Sequence, residues 1–342
     1  MRHRGVARAG VAGLAAALAI AAAPPAAARV LTVGPGQAYA APSEAAAAAE
    51  DGDTIAIAPG SYFDCAVWRG DGLIIEGTAP GAEITDKPCE GKAAFVIRGD
   101  GVTVRGLTLT RIRVPDGNGA GIRAEGRNLT VLDTRFVNNQ VGILTSATGG
   151  FLRVAGSSFI ANGSNPGGQQ THAILAGALD LLHVEHSRFE TARGGDHILS
   201  SARQTELIAN YFADEGGRMT GPLVWVNAGS LLLDANRFVL AAHAAERPGA
   251  VLATGDMTAL EVRGNSLTDP DGQTPLLRNW TGLTATMADN AVPPGTEAVS
   301  DSGSAYHRLR AKVADLREEA RAAYGIMRHR VAEMARALKL IE

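Results

Sequence analysis

Nine segments of this chain follow one eight-residue pattern: LIIEGTAP (73–80), VTVRGLTL (102–109), LTVLDTRF (129–136), LRVAGSSF (152–159), LHVEHSRF (182–189), TELIANYF (205–212), LLLDANRF (231–238), LEVRGNSL (260–267) and ATMADNAV (285–292). A period of this length, with β-branched alternation and glycine-rich turns in each unit, predicts a solenoid of strands rather than helical repeats. An earlier short strand is expected upstream in several units, at 121–125, 142–145, 173–175 and 197–199. With two or three short strands per unit, each coil closes on itself and pairs only with the coils above and below. The fold class is therefore all-β, a single-stranded right-handed parallel β-helix of about nine coils.

Two columns of the pattern say how such a stack holds together. The sixth position reads Leu107, Thr134, Ser157, Ser187, Asn210, Asn236, Asn265 and Asn290, small hydrogen-bonding groups that stack at the ~4.8 Å strand spacing into a polar ladder. The eighth reads Leu109, Phe136, Phe159, Phe189, Phe212, Phe238, Leu267 and Val292, the stacked apolar interior. Forty-one glycines supply the turns this requires.

The two ends read differently. Residues 1–28 have a basic start (Arg2, His3, Arg4, Arg8), an apolar stretch from Val11 to Ala23 and the small residues Ala26-Ala27-Ala28, the pattern of a secretory signal peptide. Export to the periplasm or beyond follows, with the β-helix over 29–292 and no membrane-spanning segment in the mature chain. After Pro293-Pro294-Gly295, residues 293–303 are expected as a linker. Residues 304–342 are expected as a C-terminal helical tail, because Leu309, Val313, Leu316, Ala320, Tyr324, Met327, Val331, Met334, Leu338 and Ile341 recur at helical spacing. That stripe suits either a cover for the open solenoid end or self-association. Loss of Arg2, Arg4 and Arg8 with the leader makes the mature chain more acidic than the full sequence. The tail is net positive and the body strongly acidic, which argues against nucleic acid as a partner.

Pro42 to Glu50 reads as a helix ahead of the strand-like run Gly52-Asp53-Thr54-Ile55-Ala56-Ile57-Ala58-Pro59-Gly60. This opening resembles the N-terminal helical cap and first strand of pectate-lyase-like β-helix proteins. The elements Asp64-Cys65-Ala66-Val67-Trp68, Cys89-Glu90-Gly91-Lys92 and Pro115 to Arg123 resemble secreted bacterial β-helix-repeat proteins. The resemblance spans roughly 30–292. It implies the fold firmly and the reaction weakly, because lyases, hydrolases, esterases, epimerases and adhesins share this architecture.

Cys65 and Cys89 are separated by close to one repeat period, so stacking sets them on neighbouring coils. In an exported chain this predicts a disulfide, with two buried thiols as the alternative. His172 and His197 are also about one period apart, in similar contexts, with Asp196 adjacent to the second. On one sheet face they would form an imidazole pair with a carboxylate, suited to proton abstraction. The resemblance implies H-N-x-Y and G-H-x-x-K-S-R on these strands. Here only His172, His197 and Ser201 match, while Ala173, Leu175, Ser200 and Ala202 replace the asparagine, tyrosine, lysine and arginine.

Arg123 is the candidate clamp for a sugar carboxylate. Asp116, Asn118 and Glu125 are the candidate substrate contacts around it, against a plain glycine-rich turn and a surface ion pair. His183-Val184-Glu185-His186 looks metal-like, but Val184 falls in the inward column and alternation sends the two histidines to different faces. No cofactor motif occurs (no GxGxxG, Walker-type loop, HExxH or GxSxG), and calcium is compatible but supported by no ligand pattern. The functional expectation is a carbohydrate-binding or carbohydrate-active envelope protein, a polysaccharide lyase or epimerase if catalytic. A non-catalytic scaffold or adhesin is the alternative.

Overall fold

Each repeat closes one coil of a parallel β-solenoid of about ten turns. The computed structural model describes residues 28–146, 148–163, 171–214, 221–242 and 247–301. One representative coil consists of three strands: Ala120–Ala124, Leu129–Leu132 and Arg135–Val137. Their counterparts stack in parallel as a first, second and third strand column. Val224–Asp234 and Val251–Arg263 run unbroken through the bend between the first and second columns, joining them in one 19-stranded sheet. The third column is a separate nine-stranded sheet. At the bend in the first of these long strands, Gly229 has φ +73° and a Cβ there would lie 2.1 Å from the Arg203 carbonyl oxygen, so only glycine fits.

The eight-residue pattern is the second strand, a tight turn and the third strand. Its fifth position takes the left-handed conformation coil after coil, from Gly106 (φ 67°) through Asp133 (47°), His186 (48°), Ala209 (53°) and Ala235 (57°) to Asp289 (52°). That conformation costs a non-glycine residue roughly 1 kcal/mol or more, and the sixth-position ladder offsets it. The Asn210 backbone N–H donates to Asn236 Oδ1 (2.9 Å), Asn236 N–H to Asn265 Oδ1 (2.9 Å), and Asn265 N–H to Asn290 Oδ1 (3.0 Å). Toward the N-terminus Ser187, Ser157 and Thr134 continue the same chain. A second, shorter ladder stands where the third strand ends: Asn139 N–H donates to Asn162 Oδ1 at 3.0 Å.

The eighth position forms the interior. Phe136, Phe159, Phe189, Phe212 and Phe238 stack with successive centroids 4.7, 4.7, 4.8 and 5.1 Å apart. All are fully buried, flanked by Leu109 and Leu267.

At the N-terminal end a seven-residue helix, Pro42–Ala48, lies against Val30–Val33 and Ala66–Trp68 and buries Pro42 and Ala45. It stops at Ala48, short of the expected Glu50. Cys65 and Cys89 form a disulfide with a Cα–Cα distance of 5.4 Å. Val299–Ser300 pairs with Leu277–Arg278, so the sheet continues into the segment expected as a linker. Among the described residues no helix is long and apolar enough to cross a membrane. The signal-peptide expectation (apart from Ala28) and the C-terminal tail expectation lie outside the described residues.

Candidate functional site

The first-column residues do not assemble into the exposed site the sequence suggested. Ile174 pairs with Ile198, and continuing that register backward sets His172 beside Asp196 rather than beside His197. His172 and His197 are 2% and 1% exposed, and Asp196 2%. The Asp196 backbone N–H donates to His172 Nδ1 at 3.3 Å. His197 lies beside the stacked Phe189 and Phe212 rings, and its Nε2–H donates to the Ala213 carbonyl at 3.0 Å. Burial pushes both imidazoles down to about 4, and Arg247, itself ion-paired with buried Asp214, adds to the fall at His197. Both rings are therefore neutral members of the interior near pH 7. The expectation that they face a ligand across the sheet is corrected on this point, because the residues ahead of each three-residue strand turn inward.

Arg123 does point outward, half-buried, with its Nε donating to Ser146 Oγ at 2.9 Å. Burial pulls its guanidinium below the usual range, and Glu125 opposes the shift. In register it stands between Val96 and Leu144, and Leu144 is followed by Leu175, Leu199 and Trp225. This apolar row offers a polymer no acid or base. Glu125 follows the strand and is held by Lys92 Nζ (2.6 Å) and Arg98 Nε (2.9 Å). Burial pushes its carboxyl up, but these two cations outweigh that and leave it lowered. The expected ion pair with Arg123 is thus replaced by Lys92 and Arg98. Asp116 is exposed and Asn118 half-buried on the loop before this strand, a loop that Gln140 ties down through the Val114 and Gly119 N–H groups.

The second column carries a different constellation. On its outer face lies a groove of about 400 Å³ whose floor is set by the register Thr130, Arg153, His183, Glu206, one residue per coil. His183 Nδ1 is 2.7 Å from Glu206 Oε2, and Gln204 Nε2 donates to Glu206 Oε1 at 2.6 Å. Both carboxylate oxygens are thereby positioned. A carboxylate only accepts, so Nδ1 carries a proton, and Nε2 is the ring nitrogen left to act as a base when it is unprotonated. Nε2 is 3.7 Å from Glu185 Oε2. Arg153 is exposed, makes no hydrogen bond or ion pair with described residues, and lies with its guanidinium 4.7 Å from the Phe151 ring centroid. Leu132 and Leu181 give the groove apolar flanks. The site thus unites a cation, an oriented imidazole and two carboxylates beside an apolar wall.

Val184 is fully buried, His183 faces the groove and His186 occupies the turn, so the two histidines diverge as alternation predicts. Among the described residues no group of three or more His, Cys, Asp or Glu is arranged to hold a metal ion. The polar groove residues Thr130, Arg153, His183, Glu185 and Glu206 occupy the second and fourth positions of the eight-residue pattern. Read down those positions, the alignment already held the signal, but no single residue type repeats there.

No protein-family model and no curated protein matches the chain. Among solved structures, the ORF18 protein of Geobacillus virus E2 is similar with a TM-score of 0.53 at 11% identity, over 73% of this chain and 52% of that one. The chain thus spans about half the length of that protein. The pectate lyase Pel9A gives a TM-score of 0.48 at 15% identity, over 81% and 82% of the two chains. A pectin methylesterase from Aspergillus niger gives 0.42 at 12%, over 82% and 92%. At these identities the likeness concerns the fold, the right-handed parallel β-helix.

Proposed function

We propose that this chain is an exported glycan-binding β-helix that holds a polysaccharide along the outer face of its second strand column. The observation that carries this reading is the straight row Thr130, Arg153, His183, Glu206 in a groove crossing four coils. Its rungs are ~4.8 Å apart, comparable with the length of one pyranose unit, so successive sugars meet successive polar groups. Arg153 engages a sugar carboxylate through its planar fork, and Leu132, Leu181 and Phe151 take the apolar faces of the rings. The disulfide between Cys65 and Cys89 supports an oxidising, extracytoplasmic setting.

A turnover reading is favoured by one further feature, the fixed His183–Glu206 pair. In β-elimination His183 Nε2 removes the proton next to the sugar carboxylate that Arg153 holds. The electron pair forms a carbon–carbon double bond, and the glycosidic oxygen leaves and takes a proton from water. Returning the proton to the opposite face instead gives epimerisation. Incubation of the purified protein with a panel of acidic and neutral polysaccharides tests both readings, with retention on immobilised glycan followed alongside ultraviolet absorbance of unsaturated product. Retention without absorbance leaves binding alone; neither signal on any polymer removes the proposal.

A further inference from the structure

The third strand column carries a pattern that the groove does not use. Its first outward position runs in register through Arg135, Ser158, Arg188, Tyr211 and Arg237. An arginine stands on every second coil, two strand spacings or ~9.6 Å apart. Arg135 and Arg237 are exposed and form no ion pair or hydrogen bond with described residues. Arg188 is exposed as well and pairs with Glu190 at 2.5 Å on the same strand. Its guanidinium lies 4.3 Å from the Tyr211 ring centroid, and that of Arg237 lies 5.9 Å from it. Tyr211 is half-buried, so one aromatic surface is framed by two cations.

We propose that this stripe binds a linear glycan bearing a carboxylate on alternate sugars. The inference extends the glycan reading to a second, separate sheet and does not depend on the groove. Periodicity decides among polyanions. The phosphates of a nucleic-acid strand come every ~3.4 Å along a duplex axis, so cations ~9.6 Å apart would leave about two of every three phosphates unmet. A polyuronate with an acid on every sugar would set every second carboxylate opposite Ser158 or Tyr211, rungs that supply no cation of their own. An alternating polymer sets each carboxylate on an arginine fork and the uncharged sugar between them on Tyr211 or Ser158. The chain between the leader and the tail is acidic overall, which disfavours polyanions that lack this match.

The test uses the full chain in calorimetric titrations with hyaluronan fragments (carboxylate on alternate sugars), polygalacturonate (carboxylate on every sugar), a neutral cello-oligosaccharide and oligo(dT). Hyaluronan fragments are expected to bind tightest per charge, with an affinity that falls as salt rises. The double variant Arg135→Ala with Arg237→Ala, both exposed positions, is expected to weaken that binding at least tenfold with an unchanged circular dichroism spectrum. Arg69→Ala, an exposed cation in neither the stripe nor the groove, is expected to leave it unchanged, which ties the loss in the double variant to the stripe. Absence of hyaluronan binding overturns the inference, as does an unaltered affinity in the double variant. Polygalacturonate or oligo(dT) binding as tightly per charge, with the same loss in the variant, also overturns it by showing general charge attraction.

Discussion

His183 Nδ1 and Glu206 Oε2 stand 2.7 Å apart across two neighbouring coils, and this contact decides which ring nitrogen faces the groove as a base. Glu206→Leu removes the acceptor at Nδ1. The ring is then expected to redistribute toward the Nε2–H tautomer, the usual preference of a free imidazole, visible as a change in its nitrogen chemical shifts by NMR. An unchanged tautomer in the variant would show that Glu206 does not orient His183.

The buried histidines predict an acid limit of stability. Both are held at about 4 in the fold against 6.5 when exposed. The unfolded chain therefore binds more protons between those values, and the stability contributed by the neutral rings is complete above pH 6.5 and lost as pH falls toward 4. The loss is on the order of 3 kcal/mol per ring. Urea unfolding at pH 7 and pH 4.5 is expected to show a smaller difference for His197→Leu than for the parent chain. Equal differences would place the ring in contact with solvent.

Asn236 is 1% exposed; its amide donates to the Leu207 carbonyl (2.7 Å) and Asn265 Oδ1 (3.0 Å), and its own oxygen accepts from Asn210 N–H. Asn236→Ala strands these buried partners and is expected to cost about 2–4 kcal/mol in chemical denaturation. Asn290→Ala, at the partly exposed end of the ladder, is expected to cost less. Equal costs would mean that burial does not set the worth of a ladder member.

The disulfide closes a separation of 24 residues at the N-terminal end. In the chain-entropy model such a loop contributes about 3 kcal/mol. Intact mass before reduction is expected to be two hydrogens below the free-thiol value, and reduction is expected to lower the unfolding midpoint. Two alkylatable thiols in protein purified without reductant would contradict the pairing.

The phenylalanine column and the polar ladder were legible because each repeats one kind of side chain at one position, and stacking forces equivalent positions into contact. The outward positions obey no such rule. Thr130, Arg153, His183 and Glu206 share a row without sharing a chemistry, so the groove is visible only after the register is known. His172 and His197 stood out by type and spacing, but alternation cannot be carried past the ends of the strands Ile174–Ala176 and Ile198–Ser200. There the chain turns inward, and packing rather than strand geometry sets the direction of the side chain. The left-handed fifth position escaped for a related reason, since Asp133, His186, Ala209 and Ala235 adopt a conformation that glycine alone would have announced.

The most direct test of the glycan groove is binding of acidic polysaccharide by the parent chain, Arg153→Ala and Glu206→Gln, measured with the unfolding midpoint of each protein. Arg153 is exposed and makes no hydrogen bond or ion pair with described residues, so its removal is expected to leave the midpoint within about 1 °C, a ΔΔG close to zero. The same substitution is expected to weaken binding about tenfold or more, the worth of a charge-assisted pair of roughly 1.4 kcal/mol. Glu206→Gln is expected to reduce binding or turnover as well. Full affinity retained in both variants, with the fold intact, would contradict the assignment of the second-column groove.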